Sequence, residues 1–516
     1  MADTTVRAAP LYWDPYDQEL YPNPYPVFKR LREESPVYYN AKYDFYAVSR
    51  YVDVQAVLSD RDTFISSHGV VLEHIKNKVP VPNGMFIAED PPLHTIHRAI
   101  LTRVFTPKKM SALEPQIRAY CAKALAPLEA GGAFDFITDL GEDMPIRVIG
   151  MLLGIPEQDL KSVQQHVDAS LYAEPGKPMN MEGKDFIGHH FDDYIDWREK
   201  NPSDDLMTEL LRAEFVDQTG KTRTLSRTEI LVFVNILAGA GNETTNRLLG
   251  WTGKLLAEHP DQRRQIHENR SLINQSIEEI LRYEPPGPSV ARYVAKDVEI
   301  HGVKIPAGAS MLALVGAANR DERKFVNGDA FNIQRERLPH LTFGFGFHNC
   351  LGNALARIEG RVALDEILTR FPEWDVDMTH AKLSPSSTTR GWDTMPAYVP
   401  GANRVARKPK AAPEAVPLEG AEIWALTMQT PAGPQELKAQ LVRDGARLSG
   451  RVDSPTGVLM VKNGKIKGDD WSWQMDVTKP MALTLSFDVA VTGDEMVGAA
   501  KLGVFGTAKV KGVRGS

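Results

Sequence analysis

Cysteine is nearly absent from this chain: two residues in 516, Cys121 and Cys350. Two cysteines cannot staple a secreted disulfide scaffold, so a reducing, intracellular setting is expected. They also cannot hold a ferredoxin-type iron–sulfur cluster, which takes about four thiolates. Long apolar runs are missing too, and none approaches the roughly 18 residues of a membrane-spanning helix. The N-terminus, Met1-Ala-Asp-Thr-Thr-Val-Arg7, is short and polar, with neither signal peptide nor anchor. The expected location is therefore the cytoplasm. A basic excess is lacking as well. The formal net charge of -7 argues against a nucleic-acid partner, which calls for a basic surface.

Hydrophobic residues make up 42% and charged residues 25%, the balance of a soluble globular protein. The length allows one large core and a second, smaller domain. The most informative stretch is Phe343-Gly-Phe-Gly-Phe-His-Asn-Cys350-Leu-Gly352, followed by a helical pattern over 353–368. A thiol at the mouth of a helix is biased towards thiolate by the partial positive charge there. Glycines let the backbone approach something bulky and flat. These residues alone leave two readings open, a structural thiol and a ligand.

Upstream, Asp90-Pro-Pro-Leu-His94-Thr-Ile-His97-Arg98 reads as a helix start, with Asp90 as the cap. His94 and Arg98 fall four apart on one face, where two donors suit an anionic group such as a carboxylate. A solvated surface helix is the alternative. Zinc at His94 and His97 is disfavoured because further ligands at suitable spacing are lacking. Residues 66–86 read as a long loop. Cys121 and His189-His190 have no ligand cluster and read as core and as a polar helix face.

The longest helical run covers 227–258. It is apolar nearly all round up to Ala240, so it should be buried. There Gly241, Glu243, Thr244 and Thr245 interrupt it. A mid-helix glycine costs about 1 kcal/mol relative to alanine, so a compensating reason is expected. The Gly-Lys-Ser/Thr ending of a phosphate loop is absent. Further on, Glu279 and Arg282 sit at i and i+3, and Ala291-Arg292 opens a strand-like stretch.

The pattern Phe343-x-x-Gly346-x-x-x-Cys350-x-Gly352 resembles the haem-binding loop of the cytochrome P450 superfamily. The His94/Arg98 helix, Ala240-Gly241-x-Glu243-Thr244, Glu279-x-x-Arg282 with Arg335, and Arg292 match other motifs of that family in order, over roughly residues 12–400. The resemblance implies a mainly α fold with a smaller β part. It implies haem b with Cys350 as the axial thiolate, Phe343 packed beside the sulfur, and His94, Arg98, Arg292 and His348 on the propionates. It further implies that Glu243 relays protons while Thr244 manages their delivery. Glu279, Arg282 and Arg335 become a structural network, and Ile87, Ile236, Ala240, Pro288, Val290 and Trp392 become pocket-facing residues.

The expected activity is hydroxylation of a hydrophobic small molecule with O2. Electrons would come from a ferredoxin or flavodoxin and its NAD(P)H-dependent reductase, since the chain carries no reductase of its own. Arg103, Lys108, Lys109, Arg357 and Arg361 are candidates for the docking face. A peroxide-driven peroxygenase and a haem-binding sensor or carrier are the competing readings. Neither gives the Glu243-Thr244 pair a purpose.

The domain expected over 1–402 is followed by a Pro-, Ala- and charge-rich linker over 403–420. From 421 to 516 the hydrophobic period becomes two, as in Trp424, Leu426 and Met428. Asp444-Gly445, Asn463-Gly464, Gly468-Asp469 and Gly493-Asp494 read as turns. A small antiparallel sandwich or barrel of seven or eight strands is expected, with docking or dimerisation as its role.

Overall fold

The computed structural model describes residues 10–129, 132–171, 173–181, 186–400, 421–430, 433–454, 457–477, 483–502 and 506–515. The chain divides into two compact units, Met1–Val405 and Ala406–Ser516. The expected linker over 403–420 lies outside the described residues.

The first unit is helical around one buried helix, Arg227–Glu258. Its start is fixed locally by a capping box. The Ser226 hydroxyl accepts from the Glu229 backbone N–H, and the Glu229 carboxylate accepts from the Ser226 N–H. Its mid-helix glycine has a packing reason. A Cβ on Gly241 would lie 2.3 Å from Ile149, on the helix Met144–Leu153. The helix tolerates glycine there because a neighbour needs the space. Asn353–Arg370, the helix after the Cys350 loop, packs nearby through Ile358, Val362, Ala363 and Ile367, all in the main apolar core. Burying one such aliphatic side chain contributes roughly 1.5–3 kcal/mol.

Beside this helical mass lies a mixed sheet, in the order 37–40, 45–48, 310–313, 290–294, 64–65. Val37–Asn40 and Phe45–Val48 form the expected antiparallel hairpin. Ser310–Ala313 joins it in parallel. The stretch read as a long loop over 66–86 contains a short helix, Leu72–Lys76. Five residues are too few for a helical period to show in sequence.

The second unit is a closed barrel. Its strands run antiparallel in order, and Gly433–Asp444 pairs with both Glu422–Thr430 and Arg447–Ser454. Glu422–Thr430 also pairs with the last strand, Thr507–Arg514, which shuts an eight-strand ring. A ninth short strand, Gly457–Met460, pairs on the outside of that circuit with Arg447–Ser454. The interior is filled by Trp424, Met475, Trp473 and Phe487, the last two stacked at 4.8 Å. Closure removes the exposed sheet edges that invite aggregation.

One expected turn is absent. Asn463 and Gly464 lie inside the strand Lys462–Lys467, at a bulge between Lys462 and Lys465. Asn463 takes φ +52°, and a Cβ on Gly464 would lie 2.0 Å from the Leu448 carbonyl. The pair bends a strand instead of reversing the chain. No helix among the described residues is long and apolar enough to cross a membrane.

Candidate functional site

The Cys350 loop turns tightly before its helix. The Cys350 N–H donates to the Phe343 carbonyl at 2.7 Å, and Asn353 Nδ2 returns to the Cys350 carbonyl at 2.6 Å. Gly344 and Gly346 have φ near +70°, which favours glycine at both positions. The residue is exposed, but its thiol is packed round by protein. Burial pushes its pKa up, opposed by the Gly352 N–H, Arg98 and Arg357. The expected bias towards thiolate therefore does not arise from the protein alone. A coordinated metal ion is what makes such a thiol a thiolate. Arg357 lies over the Phe343 ring, 4.3 Å from its centre.

Facing this loop is the helix Leu93–Thr102. Asp90 does not cap it. The helix begins after Pro92 without a side-chain cap, and the Asp90 carboxylate accepts from the backbone N–H groups of Ser66 and Ser67 at 2.9 and 3.0 Å. Two loop amides compete for the same oxygens, and the loop wins. His94 is 2% exposed, and its ring lies 4.2 Å from that of His348. Arg98 donates to the Asn349 carbonyl beside Cys350. Arg292 is 3% exposed and donates to the Ala291 carbonyl.

His94, Arg292 and His348 are buried or half-buried with no carboxylate bonded to them among the described residues. Burial and Arg98 lower the His94 pKa to about 4. Burial, then Arg292 and His94, lower that of His348 to about 2. Burial lowers Arg292 to about 10. Among the described residues, neither His94 ring nitrogen has a hydrogen-bond partner, nor does His348 Nε2. Buried orphans are rare in native folds and call for an explanation. Four cationic or neutral donors around one thiol loop fit an anionic, planar group bearing carboxylates. Haem has that chemistry.

The central helix exposes Ala240 and half-exposes Thr244. Thr244 Oγ1 donates to the Ala240 carbonyl at 2.7 Å, the back-bond expected of a mid-helix threonine. Glu243 is buried and turned sideways. Its Oε1 accepts from Thr389 Oγ1 at 2.7 Å and from Arg247 Nη2 at 3.1 Å. Behind it, Thr245 donates to Glu359, a buried carboxyl whose pKa burial pushes up to about 8. Ile87 is exposed, and Ile236, Pro288 and Val290 are half-buried. Trp392 is not one of them. It is buried against Trp251, 5.6 Å between ring centres, because the hairpin that carries it packs on the later part of the central helix.

The ion network expected at Glu279 is present. Arg282 grips the carboxylate with two bonds of 2.7 Å, Arg335 Nε approaches at 3.2 Å, and the Asn332 N–H donates at 2.9 Å. A cleft of about 560 Å³ beside it is lined by Glu278, Arg335 and Arg357. These three charges are already paired, Glu278 with Arg357 and Arg335 with Glu279, so the cleft reads as architecture. Three of the proposed docking cations are likewise engaged within the chain: Arg357 with Glu278, Arg361 with Glu114 and Lys109 with Glu209.

One residue was missed. His97 is fully buried with Nδ1 2.8 Å from Glu89. Its Nε2 lies 3.5 Å from Glu229, an ion-pair distance longer than a good hydrogen bond. Burial opposes its charge, but Glu229 and Glu89 outweigh that and push its pKa up to about 9. The Ser226-x-x-Glu229 capping signature was the legible half of this cluster. Among the described residues there is no group of three or more His, Cys, Asp or Glu side chains placed to hold a metal ion.

The cytochrome P450 family model matches residues 179–392. Cytochrome P450 130 of Mycobacterium tuberculosis is 34% identical over 384 residues, covering 72% of this chain and 94% of the relative. Vitamin D(3) 25-hydroxylase of Pseudonocardia autotrophica is 32% identical over 389 residues, covering 74% and 95%. The crystal structure of CYP109E1 from Bacillus megaterium in complex with testosterone aligns with a TM-score of 0.67 at 29% identity, covering 74% and 98%. The chain belongs to the cytochrome P450 family and is a monooxygenase of that family. Family membership implies haem ligated by a cysteine thiolate.

Proposed function

We propose that this protein hydroxylates a hydrophobic small molecule of steroid or terpenoid size at a haem held by Cys350, with electrons delivered by a separate ferredoxin or flavodoxin and its NAD(P)H-dependent reductase. The observation that carries it is the gathering of the orphaned His94 and His348 rings and of Arg98 at the Cys350 loop, in a chain whose central helix carries the acid–alcohol pair Glu243 and Thr244. The partly exposed apolar residues Ile87, Ile236 and Val290 favour an apolar substrate. The names of two relatives, one a vitamin D3 hydroxylase and one crystallised with testosterone, support the same size class. We assign the barrel docking or dimerisation.

Cys350 would ligate the iron, with Phe343 and Arg357 covering the sulfur side. His94, Arg98, Arg292 and His348 would hold the propionates. Bound haem supplies the iron at which dioxygen is split, one atom entering substrate and the other leaving as water. The chain's own part is to bring two protons in and keep bulk water out. Apolar walls exclude water. Glu243 is the acid we assign to this task; its Oε2 has no partner among the described residues and is free to pass a proton on. Thr244 is fixed by its back-bond with both hydroxyl lone pairs facing away from the helix carbonyl, ready to accept. The peroxide-driven and sensor alternatives leave this acid–alcohol pair unused.

Replacing Cys350 by His tests the ligand. The reduced carbon monoxide complex should lose its thiolate-type absorption band; a surviving band refutes the assignment. A panel of steroids, terpenoids and fatty acids, read by the spin-state shift of the Soret band, tests the substrate class. Shifts from polar compounds alone would refute it.

A further inference from the structure

We infer that the tip of the hairpin formed by Lys382–Leu383 and Trp392–Thr394, residues 384–390, couples closure over the substrate pocket to the aim of the Glu243 carboxylate, with Ser387 and Thr389 as its two contacts. This rests on Glu243 acting in proton delivery.

On the pocket side, the Ser387 hydroxyl donates to Glu73 at 2.8 Å. Glu73 is 3% exposed, on the helix Leu72–Lys76, and the same oxygen accepts the Met179 N–H at 3.2 Å. One buried carboxylate thus ties the hairpin tip to two segments that approach from other parts of the chain. Met179 and Met181 pack with Ala173 in a small apolar cluster of their own, apart from the main core. Such satellite clusters open at lower free energy than the core does. On the helix side, two residues further on, Thr389 donates to Glu243 at 2.7 Å. Arg247 bridges Glu243 to Ser384 at 2.9 Å, on the same tip.

The tip between these contacts is stiff. Ser386 Oγ accepts from the backbone N–H groups of Thr388 and Thr389 at 3.3 and 3.2 Å. The Tyr21 hydroxyl reaches the Ser386 and Thr389 carbonyls at 3.2 and 3.1 Å. Its base is held by Arg390, which pairs with Glu284 and donates its N–H to the Pro286 carbonyl. A short, internally bonded turn moves as a unit. Displacing Ser387 therefore displaces Thr389. The consequence is directional. With the pocket closed, Glu73 seats Ser387, and Thr389 with Arg247 fixes Glu243 Oε1 so that Oε2 faces the proton path. When the 173–181 segment lifts, the seat is lost and the acid is misaimed. Thr389 and Ser387 are positioning residues, and proton delivery is matched to pocket closure.

The test uses the full haem-loaded chain with a surrogate ferredoxin and reductase, without added substrate. Hydrogen peroxide released per NADH consumed is measured in H2O and D2O, and backbone hydrogen–deuterium exchange is followed at 173–181. Thr389→Val should change the peroxide ratio about fivefold, the effect of one ordinary hydrogen bond, and enlarge its solvent isotope effect. Exchange at 173–181 should stay unchanged, and Thr389→Ser should restore the ratio. Ser387→Ala should raise exchange at 173–181 and shift the peroxide ratio in the same direction. The double variant should go no further than Thr389→Val. If Ser387→Ala leaves the ratio unchanged, or if the two effects add, the coupling is refuted. Glu243→Gln separates the premises. A change in ratio and isotope effect with Glu243→Gln but not with Thr389→Val refutes the coupling alone; no change with Glu243→Gln refutes the proton-delivery reading and the coupling with it.

Discussion

His94 and His97 stand three residues apart on one helix and are both buried, at 2% and 0% exposure, yet their surroundings are opposite. His94 faces His348 and Arg98, with no acid bonded to it, and its pKa falls to about 4. His97 lies between Glu89 and Glu229, and its pKa rises to about 9. One helix thus carries, side by side, an open side left for a ligand and a side closed by the fold. Around His97 the charges balance. Glu89 and Glu229 are met by His97 and by Arg223, which grips Glu229 at 2.7 and 2.8 Å. That cluster joins the chain just before the helix to the start of the central helix. Satisfied buried ions hold elements together; unsatisfied ones mark where something else binds.

The largest expected effect breaks the closed face. His97→Ala leaves two buried carboxylates with one cation between them, and losing one member of such a network costs about 3–5 kcal/mol. Thermal or denaturant unfolding should show it. A loss below about 1 kcal/mol, the worth of a surface ion pair, would mean the cluster is not a structural joint.

The next effect sharpens the contrast through pH. A histidine whose folded pKa is raised above its ordinary 6.5 contributes stability that is whole below pH 6.5 and is lost as pH rises through about 9. The difference between 6.5 and 9 corresponds to roughly 3 kcal/mol. The groups facing His97 are Glu89 and Glu229, with Arg223 behind Glu229. Glu229 is held well below the ordinary carboxylate range by Arg223 and His97, against the upward push of burial. Unfolding free energy should therefore decline between pH 6.5 and 9.5 in the native sequence, and that decline should be shallower in His97→Gln. Equal slopes would show that His97 is already neutral.

What the sequence made legible was local. The Cys350 loop, the His94/Arg98 pair at i and i+4, Glu279 with Arg282, and the long buried helix are each written within one element, where spacing dictates which residues meet. Period two likewise announced an antiparallel β unit. The closing pairing between Gly433–Asp444 and Arg447–Ser454, and that of the first strand with the last, distinguished a barrel from a sandwich. What remained hidden depends on partners distant in the chain. His97 could not be read without Glu229 on another helix. Glu243 could not be seen to turn towards Thr389, nor Trp392 to leave the pocket for Trp251. Asp90 misled for a related reason. A carboxylate before a helix has two sets of amides within reach, and sequence does not say that Ser66 and Ser67 arrive first.

The smallest effect on the fold comes from the open face. His94 makes no hydrogen bond within the described residues, so His94→Ala removes ring packing against Phe347 and His348 but leaves no stranded partner. Stability of the haem-free chain should change by about 1 kcal/mol or less, since truncation that strands no buried partner avoids the desolvation penalty. Below pH 6.5 the variant should even gain on the native sequence. A histidine lowered to about 4 contributes a penalty that grows as pH falls from 6.5 towards 4, and the alanine carries none. Haem retention should move the other way. Removing a buried, charge-assisted bond to a carboxylate is worth about 1.5–3 kcal/mol, or roughly 10- to 100-fold in affinity. Haem transfer to apomyoglobin, timed for both proteins, measures it. Unaltered transfer combined with a large loss of stability would invert the two faces, making His94 the structural residue.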